Sequence, residues 1–213
     1  MSKSEEYELK IGRMHYSGLR KLWEDHNKDG FDESFWKKGK VLEYVVLRAF
    51  ELDILASKGS DDEIKGGVSY PYDVFMTYCE GFGKPIEQID GAVHVNELHA
   101  LVECKDYNED LKIKIDPLAK LRNQLARRHG SVFGMFFSAT EFTEPAEILV
   151  GHMAPQLIIL WSREDIEFCL QNECFVPCMK EKYKQAIEVC EYNYPFWLKN
   201  KDVFEKLVSK PLF

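Results

Sequence analysis

No stretch of this 213-residue chain approaches the roughly 20 consecutive apolar residues of a membrane-spanning helix, which excludes a helical membrane protein. The opening segment MSKSEEYELK lacks the apolar run of a secretory signal and carries acids in its place, so the expectation is a cytoplasmic protein. There is no surplus of basic charge: 28 Lys and Arg stand against 36 Asp and Glu, a net charge of -8. Polyanion binders usually present a basic surface, so contact with a nucleic acid would have to run through a locally basic face. Internal repeats and low-complexity segments are missing. The six cysteines are too dispersed for a disulfide scaffold, so reduced thiols are the expectation. Cys169, Cys174, Cys178 and Cys190 have the spacing C-x4-C-x3-C-x11-C, which matches no tight metal-ligand motif.

What is present suits one globular core. Hydrophobic residues make up 45% of the chain and aromatics 13%, and the length allows a single domain, 1–213. Its core is expected at about residues 35–172, with helical extensions over 1–34 and 173–213. The first 34 residues are polar, with one expected helix at 14–26. Residues 34–57 read as a strong helix capped by Ser34, and its middle, VLEYVVLRAF, is apolar almost all round, as in a helix buried against a sheet. Residues 58–67 read as a loop, and strand-like runs follow at 73–78, 86–95 and 98–105. An amphipathic helix is expected over 116–128, with Leu118, Leu121 and Leu125 as its apolar stripe. VFGMFFSA and QLIILW are buried strands separated by a helix at 145–153, and helices are expected at 162–170, 176–192 and 201–209. Strands that meet first as a meander and later across helices predict an α/β fold: a mixed central sheet flanked by helices.

The segment IEQIDGAVHVNELHALVECKDYN carries the chemistry. With Asn96-Glu97 as a two-residue turn, Val95 faces Leu98, His94 faces His99, and Asp90 faces Glu103. Two opposed carboxylates repel unless something binds between them. Lys105 projects from the same face as Glu103. A hard divalent cation fits such a pair, since magnesium takes one or two carboxylates together with waters and phosphate oxygens. The Glu and Lys also end an apolar run (Leu98, Ala100, Leu101, Val102), where solvated charges are unexpected. Asp73, 30 residues before Glu103, is a rival first acid that the register does not support.

The order D-x12-E-x-K resembles the PD-(D/E)xK nuclease superfamily, with its restriction-endonuclease-like fold, and the wider sequence is most similar to the Mrr-like type IV restriction branch. GKVLEYVV, with Gly39 and Glu43, matches the helix before the Asp; FFSATEFTEPAEILV and QLIILW match the elements after it. The resemblance covers about residues 37–170. It departs from the pattern in having Ile89, not Pro, before the Asp, and in showing no separate DNA-recognition domain, which implies a separate targeting or activating protein.

The resemblance implies a metal-dependent DNA endonuclease, active in restriction or defence, repair or mobile-element processing. Asp90, Glu103 and the backbone carbonyl of Cys104 would bind Mg2+, with Mn2+ able to substitute, and Glu43 would face the same site. Lys105 would orient or deprotonate the attacking water and stabilise developing charge. Gln124 is a further catalytic candidate on the following helix. Lys112, Lys114, Lys120, Arg127 and Arg128, in the most basic part of the chain, are the expected nucleic-acid contacts. Double-strand cleavage with one site per chain would favour a homodimer. The alternative is a catalytically silent nuclease fold that serves as a nucleic-acid-binding or assembly subunit. RNA as substrate stays open.

Overall fold

The computed structural model describes residues 2–28, 30–37, 39–75, 85–107, 110–128 and 130–200. The first element is a helix that composition hides. In α1 (Lys3–Ile11) the Ser2 side chain accepts from the Glu5 N–H while the Glu5 carboxylate accepts from the Ser2 N–H, a reciprocal capping box. This helix buries Tyr7 and Ile11, so the N-terminal segment holds two helices where one was expected. The second, α2 (Tyr16–His26), turns Tyr16, Leu19, Trp23 and His26 inward. Helix α3 (Lys40–Ala56) has its N-cap five residues later than the expected Ser34. Gly39 takes its N-cap with φ 86°, a backbone shape that costs glycine little, while the Ser34 N–H is tied to Asp32 in the preceding turn. All ten residues from Val41 to Phe50 are buried, because α3 is enclosed by the sheet on one side and by helices on the others.

Five strands form one mixed sheet in the order β1-β4-β5-β6-β7: β1 (Gly66–Ser69), β4 (Gly91–Val95), β5 (Leu98–Lys105), β6 (Val132–Ser138) and β7 (Ile158–Trp161). The β1, β4 and β5 pairings are antiparallel, and β5-β6 and β6-β7 are parallel. Strand β1 falls at the end of the expected 58–67 loop, where its two glycines concealed it. Strands β2 (Tyr72–Val74) and β3 (Glu87–Ile89) pair separately with each other. The single strand expected at 86–95 is therefore two strands, broken at Asp90. The hairpin turn is Asn96-Glu97, with Asn96 at φ 52°, and its register reads Val95↔Leu98 and His94↔His99 as expected.

Strand β5 alternates between two cores. Ala100, Val102 and Cys104 face α3 and the large cluster that includes Tyr7, Ile11, Leu19 and Trp23 of the N-terminal helices. That cluster also takes in α6 (Arg163–Asn172) and α7 (Phe175–Val189). Leu101 faces the other way, toward α4 (Ile115–Ala126) and α5 (Glu144–Gly151), where Leu118, Leu121 and Leu125 pack on Phe136 and Leu160. Each of those three leucines contributes roughly 1.5–3 kcal/mol through burial. No described helix is long and apolar enough to cross a membrane. The helix expected at 201–209 lies outside the described residues, as does Cys79.

Candidate active site

Strand β5 is the middle strand of the sheet, and its C-terminal end carries the candidate residues Glu103 and Lys105. Glu103 is fully buried (0% exposed) on the α4 side, and Lys105 lies one pleat further on that side. The Lys105 ammonium donates to Glu103 Oε1 at 2.5 Å and to the Cys104 carbonyl at 3.1 Å. A second ammonium, that of Lys120 on α4, sits across both Glu103 oxygens at 2.9 and 3.0 Å.

Asp90 (7% exposed) occupies the bend between β3 and β4. The β4-β5 ladder ends one residue short of it, at Gly91↔Val102. Asp90 leaves the ladder and accepts the Cys104 N–H at 3.0 Å, so it is anchored on the residue next to Glu103. Gly91 explains how a helix comes so close: a Cβ there would stand 2.6 Å from Leu47 Cδ2. A side chain there would force Leu47 to shift, and Glu43 lies one turn before Leu47 on that helix.

Glu43 (6% exposed) accepts from Lys40 Nζ at 2.7 and 2.9 Å. Burial and the negative charge of Asp90 nevertheless push its carboxyl up to about 7, against the pull of Lys40 and Lys105. Burial works against the Lys105 ammonium, but the Glu103 carboxylate beside it outweighs burial and raises its pKa. Burial, then Asp90 and Glu43, push the Cys104 thiol well up; its side chain lies in the α3-facing core. The site is thus a set of buried acids, of which Glu43 is bonded by Lys40 and Glu103 by Lys105 and Lys120. Among the described residues no group of three or more His, Cys, Asp or Glu side chains is arranged so that it could hold a metal ion as it stands. The chemistry of two acids and a backbone carbonyl is of the kind a hard divalent ion takes together with water and phosphate oxygens. Glu43 and Asp90 form an under-compensated acid pair, and an ammonium already stands on both oxygens of Glu103 in the manner of a bound cation.

The structure disperses several other candidates. Gln124 is buried, and its amide donates to the Gln88 carbonyl at 3.1 Å, two residues before Asp90; it holds β3 and not the acids directly. Arg127 and Arg128 both bond the buried Glu87, and Lys112 pairs with Glu141 at the surface. Lys114 is exposed at the N-cap of α4. Asp73 is exposed and pairs in register with Gln88. The His94 and His99 rings stack at 5.6 Å near the hairpin turn, about 13 Å along the strand from the acids. Cys169, Cys174 and Cys178 are buried free thiols in mutual contact, whereas Cys190 is exposed at the far end of α7, about 18 Å along the helix from Cys178.

Two features escaped the sequence. Lys40 was legible in principle, because a Lys three residues before a buried Glu on one helix is a paired spacing. The buried pair between His26 of α2 and Asp106, the residue after Lys105, had no sequence signal, since 80 residues separate the partners.

A mixed sheet with helices on both faces and acids converging on its middle strand defines the restriction-endonuclease-like fold. Residues 82–169 match the family model Mrr_cat, described as restriction endonuclease, so this segment is similar to nuclease domains of the restriction-endonuclease type. The matched segment runs from β3 to α6 and leaves α1 to α3, with Glu43, outside it. No curated protein matches the chain.

Proposed function

We propose that this chain is a divalent-metal-dependent deoxyribonuclease, with Mg2+ as the working ion and Mn2+ as a substitute. The observation that carries the reading is the convergence of Asp90 and Glu43 on the edge of the strand that presents Glu103 and Lys105, all four wholly or largely withdrawn from solvent. Asp90, Glu103, Glu43 and the Cys104 carbonyl would hold the cation. A cation there supplies an acidified water and neutralises charge on the scissile phosphate. The chain's own part is positional. Asp90 is fixed by the Cys104 N–H, and Glu103 is fixed by Lys105 and Lys120. Gln124 acts as a positioning residue through Gln88. Lys105, held charged by Glu103, is suited to orient the water and meet negative charge on the phosphate, more than to accept a proton.

The helices outside the matched segment belong to this unit, because the N-terminal helices share the core of the sheet and supply Glu43; the whole of 1–213 is proposed as one nuclease domain acting in the cytoplasm. Lys114 is exposed at the start of α4 toward DNA, while Lys112, Lys120, Arg127 and Arg128 reach phosphate only by exchanging their acidic partners. A separate targeting protein and a homodimer for double-strand cleavage complete the reading. Purified protein incubated with plasmid should nick it in Mg2+ or Mn2+ and not in EDTA. Asp90→Asn and Glu103→Gln should each abolish nicking while the protein stays folded. Metal-independent nicking, or full activity in both variants, would sink the proposal and leave the silent-subunit alternative.

A further inference from the structure

Strand β3 separates two cavities that share Gln88. The one beside α4, about 530 Å³, has balanced charge: Lys120 and Arg127 line it, but these bond Glu103 and Glu87, and Asp116 lies at its wall. The one beside α1, about 290 Å³, is lined by Lys3, Lys37, Lys40, Tyr72, Asp73 and Gln88 among others. Lys40 is paired with Glu43, which leaves Lys3 and Lys37 with one carboxylate, Asp73, in the described wall, in a protein whose net charge is -8. Lys3 and Lys37 are exposed, and Tyr72 is 36% exposed.

This flank is built rather than incidental. Tyr7 of α1 stacks on Trp36 at 4.7 Å and accepts the Lys37 N–H, while Ser4 and Tyr44 share a hydrogen bond of 2.9 Å. The backbones carrying Lys3 and Lys37 are thereby fixed on α3. The cavity also reaches the catalytic acids. Lys40 bonds Glu43, Tyr72 pairs in register with Ile89 next to Asp90, and Gln88 lies about 6.6 Å along the chain from Asp90.

We infer that this α1 flank is a binding site for the DNA strand adjoining the scissile phosphate, with Lys3 and Lys37 on backbone phosphates and Tyr72 against a base. It deepens the nuclease reading and rests on it. The chemistry matches the ligand: ammonium groups take phosphates, and an exposed ring offers any base a stacking face. Among the described residues the acids on this flank are Asp73 in the cavity wall and Glu43, which holds Lys40.

The test is binding of a fluorescent 30-base-pair duplex to the full chain in Ca2+, read by anisotropy across salt concentrations. The Lys3→Ala/Lys37→Ala variant should bind about tenfold more weakly, and its slope of log K against log salt should be shallower by roughly 1.8, about 0.9 per lost phosphate contact. The charge-matched Lys180→Ala/Lys184→Ala variant on α7 should keep the wild-type slope. Tyr72→Ala should weaken binding by about tenfold and Tyr72→Phe should restore it. An unchanged slope in the first variant, or an equal change in the α7 control, overturns the inference, and circular dichroism shows that each variant is folded. If the slope falls but the wild type never nicks plasmid, the nuclease reading fails and the binding flank stands. If nicking is metal-dependent and the slope is unchanged, the flank alone fails.

Discussion

The two sides of strand β3 carry similar numbers of cations and use them in opposite ways. Beside α4, Lys120 sits on Glu103, and Arg127 and Arg128 sit on Glu87, with Lys112 a little further off on Glu141. Beside α1, Lys3 and Lys37 stand exposed around a cavity with one acid in its wall. The α4 segment is the more basic in linear sequence, yet its charge is largely cancelled from β3, β5 and the turn after β6. Local potential follows from which acids the fold brings near, and density of Lys and Arg along the chain does not report that. The α4 cations are tied to buried acids; Lys3 and Lys37 on the α1 side are exposed at a cavity.

The comparison can be broken at several points. The largest expected effect is at its centre. Lys105→Ala should reduce plasmid nicking by about 100- to 1000-fold while duplex binding in Ca2+ changes by only a few-fold. Equal loss of binding and cleavage would move Lys105 from the reaction to substrate attachment.

A pH experiment probes the acid pair. Glu43 titrates at about 7 in the fold against an ordinary 4.5, so between those values the folded state holds more protons than the unfolded state. Stability without metal should therefore fall as pH rises from about 4.5 to 7 and level off above that. Glu43→Gln removes the carboxylate and should flatten this decline, a gain on the order of 3 kcal/mol at pH 8 relative to wild type in EDTA. Mg2+ should raise the wild-type melting temperature more at pH 8 than at pH 6, because the cation favours the ionised acid. Parallel melting curves for wild type and variant from pH 5 to 8 would contradict the assignment.

Glu87→Gln tests whether the α4 cations serve the frame. Glu87 is buried beneath Arg127 and Arg128, and the first of these is half exposed, so the expected loss is modest: about 1–2 kcal/mol by urea denaturation. Tighter DNA binding by this variant would sharpen the contrast, since it would show Glu87 masking two arginines. The smallest effect is expected at Lys112→Ala. Its pair with Glu141 is exposed on both sides, so stability should change by less than about 0.5 kcal/mol. If Lys112 contacts a phosphate, as its place in the basic segment suggests, the salt slope of duplex binding should fall by about 0.9; the pairing with Glu141 leads us to expect no change.

The parts of the fold that were readable share a feature: their signal is local. The stripe of Leu118, Leu121 and Leu125 marks α4 to within two residues, and the apolar runs VFGMFFSA and QLIILW mark β6 and β7. Asn96, able to take a positive φ, sets the hairpin turn and with it the register. What was misread depended on longer-range forces. Strand β1 is short and half-exposed, and exists because β4 offers it a partner. The start of α3 moved from Ser34 to Gly39 because Asp32 tied the Ser34 backbone in a turn. The capping box of α1 was an overlooked local signal.

By itself the sequence determined the mixed α/β sheet, the hairpin register, and the placing of Glu103 and Lys105 on one face of a buried strand, since two-residue alternation and turn chemistry act between near neighbours. Only the tertiary structure decided that Asp90 leaves the ladder for the Cys104 N–H, that Glu43 reaches it across the close contact at Gly91, and that Lys120 stands on Glu103. It also decided which lysines keep their charge open to solvent. Those outcomes depend on approaches between elements far apart in the chain, where burial raises the energy of every unpaired charge and the partner is set by packing.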